Sequence, residues 1–129
     1  TPQDIVNAVA AGIDMFDCVM PTRNARGGGV FTWEGKLQIR NSCYRESQEP
    51  LEASCPCYCC RTFTRAYLHH LFSKKVEEIT GLVMLTLHTL TFYHALMTKI
   101  RTVIRQGHFA QFREEFLQRY SSDRAENRG

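Results

Sequence analysis

The stretch GIDMFDCVMP, Gly12 to Pro21, decides how this chain is read. It follows DIVNAVAA (Asp4 to Ala11), whose apolar residues recur at helical spacing and which Gly12 stops. Thr1-Pro2 suits the cap and first turn of that helix. Ile13 to Met20 is a short apolar run ending at Pro21, the pattern of a buried strand. A helix, a glycine and then a buried strand make the α-to-β step of an α/β protein. Asp17 stands near the carboxyl end of the predicted strand, where α/β barrels place their reacting groups. A carboxylate among Phe16, Cys18 and Val19 is costly to bury unless it is paired or used. The plainer account of Asp17 is a structural residue accepting hydrogen bonds from the following loop. As a nucleophile it suits attack at the anomeric carbon of a sugar, giving a covalent glycosyl intermediate. Asp14 and Asp17 point to opposite faces of a strand and so form no acid–base couple.

Working outward, TRNARGGG (Thr22 to Gly29) reads as a loop. Its Arg23 and Arg26 can hold phosphates beside the candidate nucleophile, or stand as solvated loop arginines. Phe31 to Trp33 and Leu37 to Ile39 flank Glu34-Gly35 and predict a hairpin. Asn41 to Ser54 is irregular and polar, Cys55 to Cys60 is a tight loop, and Arg61 to Lys75 reads as one helix. Leu82 to Ile104 is the strongest helix, through Leu82, Leu85, Leu90, Tyr93, Leu96, Met97, Ile100, Val103 and Ile104, and Gly107 closes it. Phe109 to Tyr120 predicts a final helix, and Ser121 to Gly129 a frayed polar tail.

The cysteine loop carries the metal signal. Cys55, Cys57 and Cys60 form C-x-C-x-x-C, and three thiols this close cannot all pair among themselves. They can grip one soft cation, and tetrahedral zinc needs a fourth donor from elsewhere. His88 is a candidate, early in the long helix; His69, His70, His94 and the adjacent Cys59 are rivals. Disulfides or free thiols are the competing readings. A fully ligated Cys₃His site is structural and would pin the loop to the long helix.

Composition sets the outer limits. With 129 residues and 43% hydrophobic content the chain can build one modest core. No run of 18 apolar residues is present, so no membrane span is expected. The net charge of +3 says little, but Ala53 to Val76 and Ile79 to Arg113 carry basic residues and no acid. Such stretches suit RNA, or merely a solvated helix surface. No secretory leader is visible at Thr1-Pro2-Gln3-Asp4. Six cysteines, mostly in a metal-type cluster, point to a reducing cytoplasm, with a secreted disulfide protein as the weaker alternative.

GIDMFDCVMPTRNAR (Gly12 to Arg26), FTW (Phe31 to Trp33) and IRN (Ile39 to Asn41) strongly resemble the tRNA-guanine transglycosylase family. So do the C-x-C-x-x-C cluster, RAYLHHL (Arg65 to Leu71) and LTLH (Leu85 to His88). The resemblance implies an α/β fold, the C-terminal part of a (β/α)8 barrel with an inserted zinc subdomain and C-terminal helices. It implies replacement of the wobble guanine of a tRNA anticodon by a 7-deazaguanine in the queuosine pathway. By motif, Asp17 is the implied nucleophile, Arg23 and Arg26 tRNA contacts, and Cys55, Cys57, Cys60 and His88 the zinc ligands. Residues 1–30 are then the last barrel helix and strand with the catalytic loop, 31–90 the hairpin and zinc subdomain, 91–120 the C-terminal helices and 121–129 a tail. A whole barrel takes about 250 residues. The chain is therefore expected to be a fragment or split subunit, inactive until a companion chain completes the barrel, and family members also form homodimers. The alternative is a non-catalytic, zinc-stapled RNA-binding segment of such an enzyme. The resemblance departs in a longer stretch around SKKVEEITG (Ser73 to Gly81), in the extra Cys59, and in Gly27-Gly28-Gly29, which is expected to loosen the loop.

Overall fold

Helix α1 spans Pro2–Ala10 and starts as its sequence predicts. Thr1 and Asp4 form a reciprocal capping box, with proline in the first turn. Gly12, at φ 101°, takes the chain out of the helix. The next segment corrects the sequence reading. Residues 13–19 form no strand, and Ile13, Met15 and Val19 are 48%, 87% and 58% exposed. A strand needs a neighbour to receive its backbone hydrogen bonds. The two-stranded sheet further along does not include this segment. The expected loop after it is also corrected: Met20–Arg26 is helix α2, with Pro21 in its first turn. Proline's fixed φ starts a helix as readily as it ends a strand.

The hairpin appears where expected, as antiparallel strands β1 (Gly29–Thr32) and β2 (Gly35–Gln38), with Val30 opposite Leu37. All four β1 residues are buried, because α2 and the long helix α5 (Ile79–Arg105) pack against the strand. The glycines before β1 tighten the chain rather than loosen it. Gly28 has φ 85°, and its carbonyl accepts the Ile39 N–H at 2.8 Å. A Cβ there would stand 2.5 Å from Gln38 Oε1. Only glycine meets both conditions.

The predicted single helix from Arg61 to Lys75 is instead two short ones, α3 (Tyr58–Thr62) and α4 (Arg65–Leu71). Thr64 separates them: its hydroxyl accepts the Tyr67 N–H at 3.1 Å and caps α4. A short 3₁₀ turn, Ser42–Tyr44, is the one regular element described in the 41–54 loop.

Helix α5 buries Met84, Leu85, His88, Phe92, Leu96, Ile100 and Val103 along one stripe. Leu90 and Ile104, expected on that stripe, are 41% and 50% exposed. By length and composition α5 could cross a bilayer. Its buried stripe is nevertheless packed against protein on two fronts. One cluster gathers Val30, Leu37, Ile39, Leu51, the cysteines and Leu68. The other gathers Val6, Phe31, Phe92, Leu96, Ile100, Phe116 and Tyr120. Helix α6 (Phe109–Glu126) follows Gly107 at φ 74° and takes in the first part of the expected tail. The computed structural model describes residues 1–126, with side chains through Tyr120; 127–129, the end of that tail, lie outside the described residues.

Candidate metal centre

Cys55, Cys57 and Cys60 reach the metal site from a loop and the first turn of α3; His88 reaches it from the third turn of α5. Their ligand atoms all lie within 4.8 Å of one another. His88 Nδ1 stands 3.3 Å from Cys60 Sγ and 3.9 Å from Cys57 Sγ. Donors sharing one tetrahedral zinc, at about 2.3 Å for sulfur and 2.0 Å for nitrogen, sit roughly 3.5–3.8 Å apart. The four donors are thus close to the spacing that one zinc ion imposes.

The protonation pattern fits as well. His88 Nε2–H donates to the Phe31 carbonyl at 2.9 Å, which leaves the Nδ1 lone pair facing the sulfurs. Burial holds the His88 imidazole below its ordinary pKa, in the neutral form that a metal takes. The Cys57 sulfur accepts the Cys60 N–H at 3.4 Å. Such a bond favours thiolate over thiol. Against it, burial pushes Cys55 up to about 11, and Cys60 upward also. A divalent cation resolves this conflict, since it replaces the protons and balances the buried charge. Four protein donors leave no open position, so the site suits folding and not chemistry at the metal.

The rivals separate cleanly. Cys59 is fully buried, raised to about 12 by burial, and stands outside the ligand cluster. The His69 Nδ1–H donates to the Ile39 carbonyl at 2.7 Å, and His70 is exposed at the end of α4. His94 lines a cavity of about 220 Å³ with Asp14, Cys18 and Tyr93, apart from the cysteines. All six cysteines are free.

The other candidates are not drawn together in the same way. Asp17 is exposed in the irregular 13–19 segment. Asp14, but not Asp17, lines the 220 Å³ cavity, so the two carboxylates form no pair there. Arg23 and Arg26 lie one turn apart in the last turn of α2 and are both exposed. Sequence reasoning missed two contributors, the Phe31 carbonyl behind His88 and the Glu52 carbonyl that holds the Cys55 amide. Neither has a motif, because both act through backbone atoms.

A family model described as "TGT: Queuine tRNA-ribosyltransferase" matches residues 1–122. The chain is 54% identical over 120 residues to a protein of Francisella tularensis subsp. novicida (strain U112) named "Queuine tRNA-ribosyltransferase". It is 53% identical over 120 residues to the protein of the same name from Francisella tularensis subsp. tularensis (strain WY96-3418). Each match takes in 93% of this chain and 32% of the relative. The chain therefore spans about a third of the length of these curated relatives.

Proposed function

The chain belongs to the queuine tRNA-ribosyltransferase family, and on that premise we propose that it supplies the nucleophile segment and zinc subdomain of an enzyme exchanging a tRNA guanine for a 7-deazaguanine. In this reading residues 1–30 bring the last helix of a (β/α)8 barrel, the exposed 13–19 segment that carries Asp17, and helix α2 with Arg23 and Arg26. Residues 31–90 form the hairpin and zinc subdomain, 91–120 the C-terminal helices, and 121–129 a tail. The observation that carries the proposal is the convergence of Cys55, Cys57, Cys60 and His88, on a chain matched to the family over nearly its whole length.

The chemistry assigned to this chain is short. The Asp17 carboxylate attacks the ribose anomeric carbon at the wobble position, the bond to guanine breaks, and a ribosyl ester on Asp17 results. Attack by the 7-deazaguanine then releases the modified tRNA and restores the carboxylate. The exposure of Asp17 supports access of a macromolecular substrate. Proton transfer to the departing guanine and recognition of the incoming base are assigned to residues outside this chain. Arg23 and Arg26, both exposed just downstream of Asp17, are suited to the phosphates flanking the reacting nucleotide.

Zinc, when bound by the three cysteines and His88, supplies a structural cross-link and no reacting group. The ligands tie α3 to α5, and α5 packs on α2, the element carrying both arginines. The exposed, largely apolar 13–19 segment suits pairing with further barrel strands from the rest of the polypeptide, a companion chain or a second copy. Six free cysteines suit the cytoplasm as the working compartment.

Adduct trapping is the test. The full-length enzyme carrying this chain, incubated with tRNA and a 7-deazaguanine, should yield a denaturant-resistant protein–RNA species, and Asp17→Asn should abolish it. Tight RNA binding without any adduct would favour the non-catalytic segment instead.

A further inference from the structure

Glu52 belongs to no motif, yet among the described residues it is the one acidic or basic side chain other than His88 that is buried, at 9% exposure. Its carboxylate accepts the Trp33 N–H at 2.6 Å, across 19 residues of sequence. Trp33 sits in the turn of the β1–β2 hairpin, two residues after Phe31, whose carbonyl holds His88 Nε2. The backbone carbonyl of Glu52 accepts the Cys55 N–H at 3.1 Å, so the same residue holds the start of the cysteine loop. A circuit follows: the cysteine loop at Cys55, Glu52, Trp33, Phe31, His88 and back to the loop at Cys60, where His88 Nδ1 is 3.3 Å from the sulfur.

We infer that Glu52 is a positioning residue of the metal site, clamping the hairpin that orients His88 to the loop that presents the cysteines. The inference rests on reading Cys55, Cys57, Cys60 and His88 as a zinc site, and it extends that reading beyond the ligands. The physical reason lies in where the donors come from. The cysteines sit on a local loop that sets their mutual geometry. The imidazole arrives from α5, so its distance to the sulfurs depends on how hairpin, loop and helix are locked together. Metal ligands held through outer hydrogen bonds usually lose binding when those bonds are removed, even though the ligands remain. Glu52 acts here as a hydrogen-bond acceptor, so a neutral residue that keeps the acceptor oxygen should serve.

The test uses the 129-residue chain loaded with Co²⁺ in place of zinc. Glu52→Ala should release metal to a chelator about tenfold faster than the unsubstituted chain and shift its Co²⁺ d–d absorption. Glu52→Gln should return the release rate to within about threefold of the original. Ile100→Ala, a cavity variant in the other core cluster, controls for general destabilisation; it should leave the Co²⁺ spectrum unchanged. Metal release from Glu52→Ala no faster than from Ile100→Ala overturns the inference, as does Glu52→Gln behaving like Glu52→Ala. If the unsubstituted chain binds no Co²⁺ with a tetrahedral, sulfur-rich spectrum, the zinc reading itself fails and takes this inference with it.

Discussion

The Arg40 guanidinium lies over the Phe72 ring, 5.3 Å from its centroid, and its Nη1 donates to the carbonyl of the same Phe72 at 3.2 Å. From the same side chain, Nε donates to the Gly27 carbonyl at 3.2 Å. Gly27 and Phe72 are the C-terminal caps of α2 and α4, whose last carbonyls have no partner within their own helices. Arg40 thus joins the C-terminal ends of α2, which carries both arginines, and α4.

Arg40→Ala should lower stability by about 1–2 kcal/mol, because two carbonyls lose a charged donor and Phe72 loses its cover. Arg40→Lys should recover little, since an ammonium cannot reach both carbonyls from a flat, stacked position. Urea unfolding of the three proteins, compared at equal m-value, measures both effects.

Gly81→Ala sets two effects against each other. Alanine favours helix over glycine by about 1 kcal/mol. The added Cβ would stand 2.9 Å from Phe72 Cε2 and 3.2 Å from Leu71 Cβ. Phe72 is held by Arg40 and cannot swing away freely. Overpacking of this kind costs about 1–3 kcal/mol. The clash wins, and the melting temperature falls; a rise would show that Phe72 yields.

How much of this was legible in the sequence varies with the range of the interaction that decides each residue. The C-x-C-x-x-C ligands are local, and the spacing alone pointed to a metal. His88 could not be chosen over His69, His70 and His94 by spacing, because what fixes it is a carbonyl 57 positions away. The resemblance, not the periodicity, selected it. The strand predicted from Ile13 to Met20 does not form, because strand formation needs a neighbour and an apolar run does not reveal whether one is present in the same chain. Helix α2 escapes the sequence pattern because Pro21 marks the end of an apolar run as readily as the first turn of a helix. The break at Thr64 carried a readable signal, a capping hydroxyl three residues before the Tyr67 amide it accepts.

Cys59→Ala should leave metal content at one per chain, because Cys59 is buried outside the ligand cluster. Cys57→Ala should abolish stoichiometric binding. Elemental analysis of the two purified proteins decides whether the fourth local thiol takes part.

Tyr120→Phe removes the hydroxyl that donates to the buried Thr32 carbonyl at the end of β1. The loss should be about 1 kcal/mol, with metal content unchanged. A loss of bound zinc in this variant would mean that α6 couples to the site more strongly than the separate core clusters imply.

Chelation of the metal at neutral pH should loosen α3 and the N-terminal half of α5, seen as faster amide exchange there than around Ile100. The pH dependence has a definite sign. Bound thiolates compete with protons, so zinc affinity falls as the pH falls and rises as it rises, until the ligands are fully deprotonated.

Zinc K-edge X-ray absorption on the purified chain bears most directly on how this fold is held together. One zinc per chain with three sulfurs at about 2.3 Å and one nitrogen at about 2.0 Å is the expected result, with the nitrogen lost in His88→Ala. A chain without zinc, or a shell of four sulfurs that places Cys59 where His88 is assigned, would contradict it.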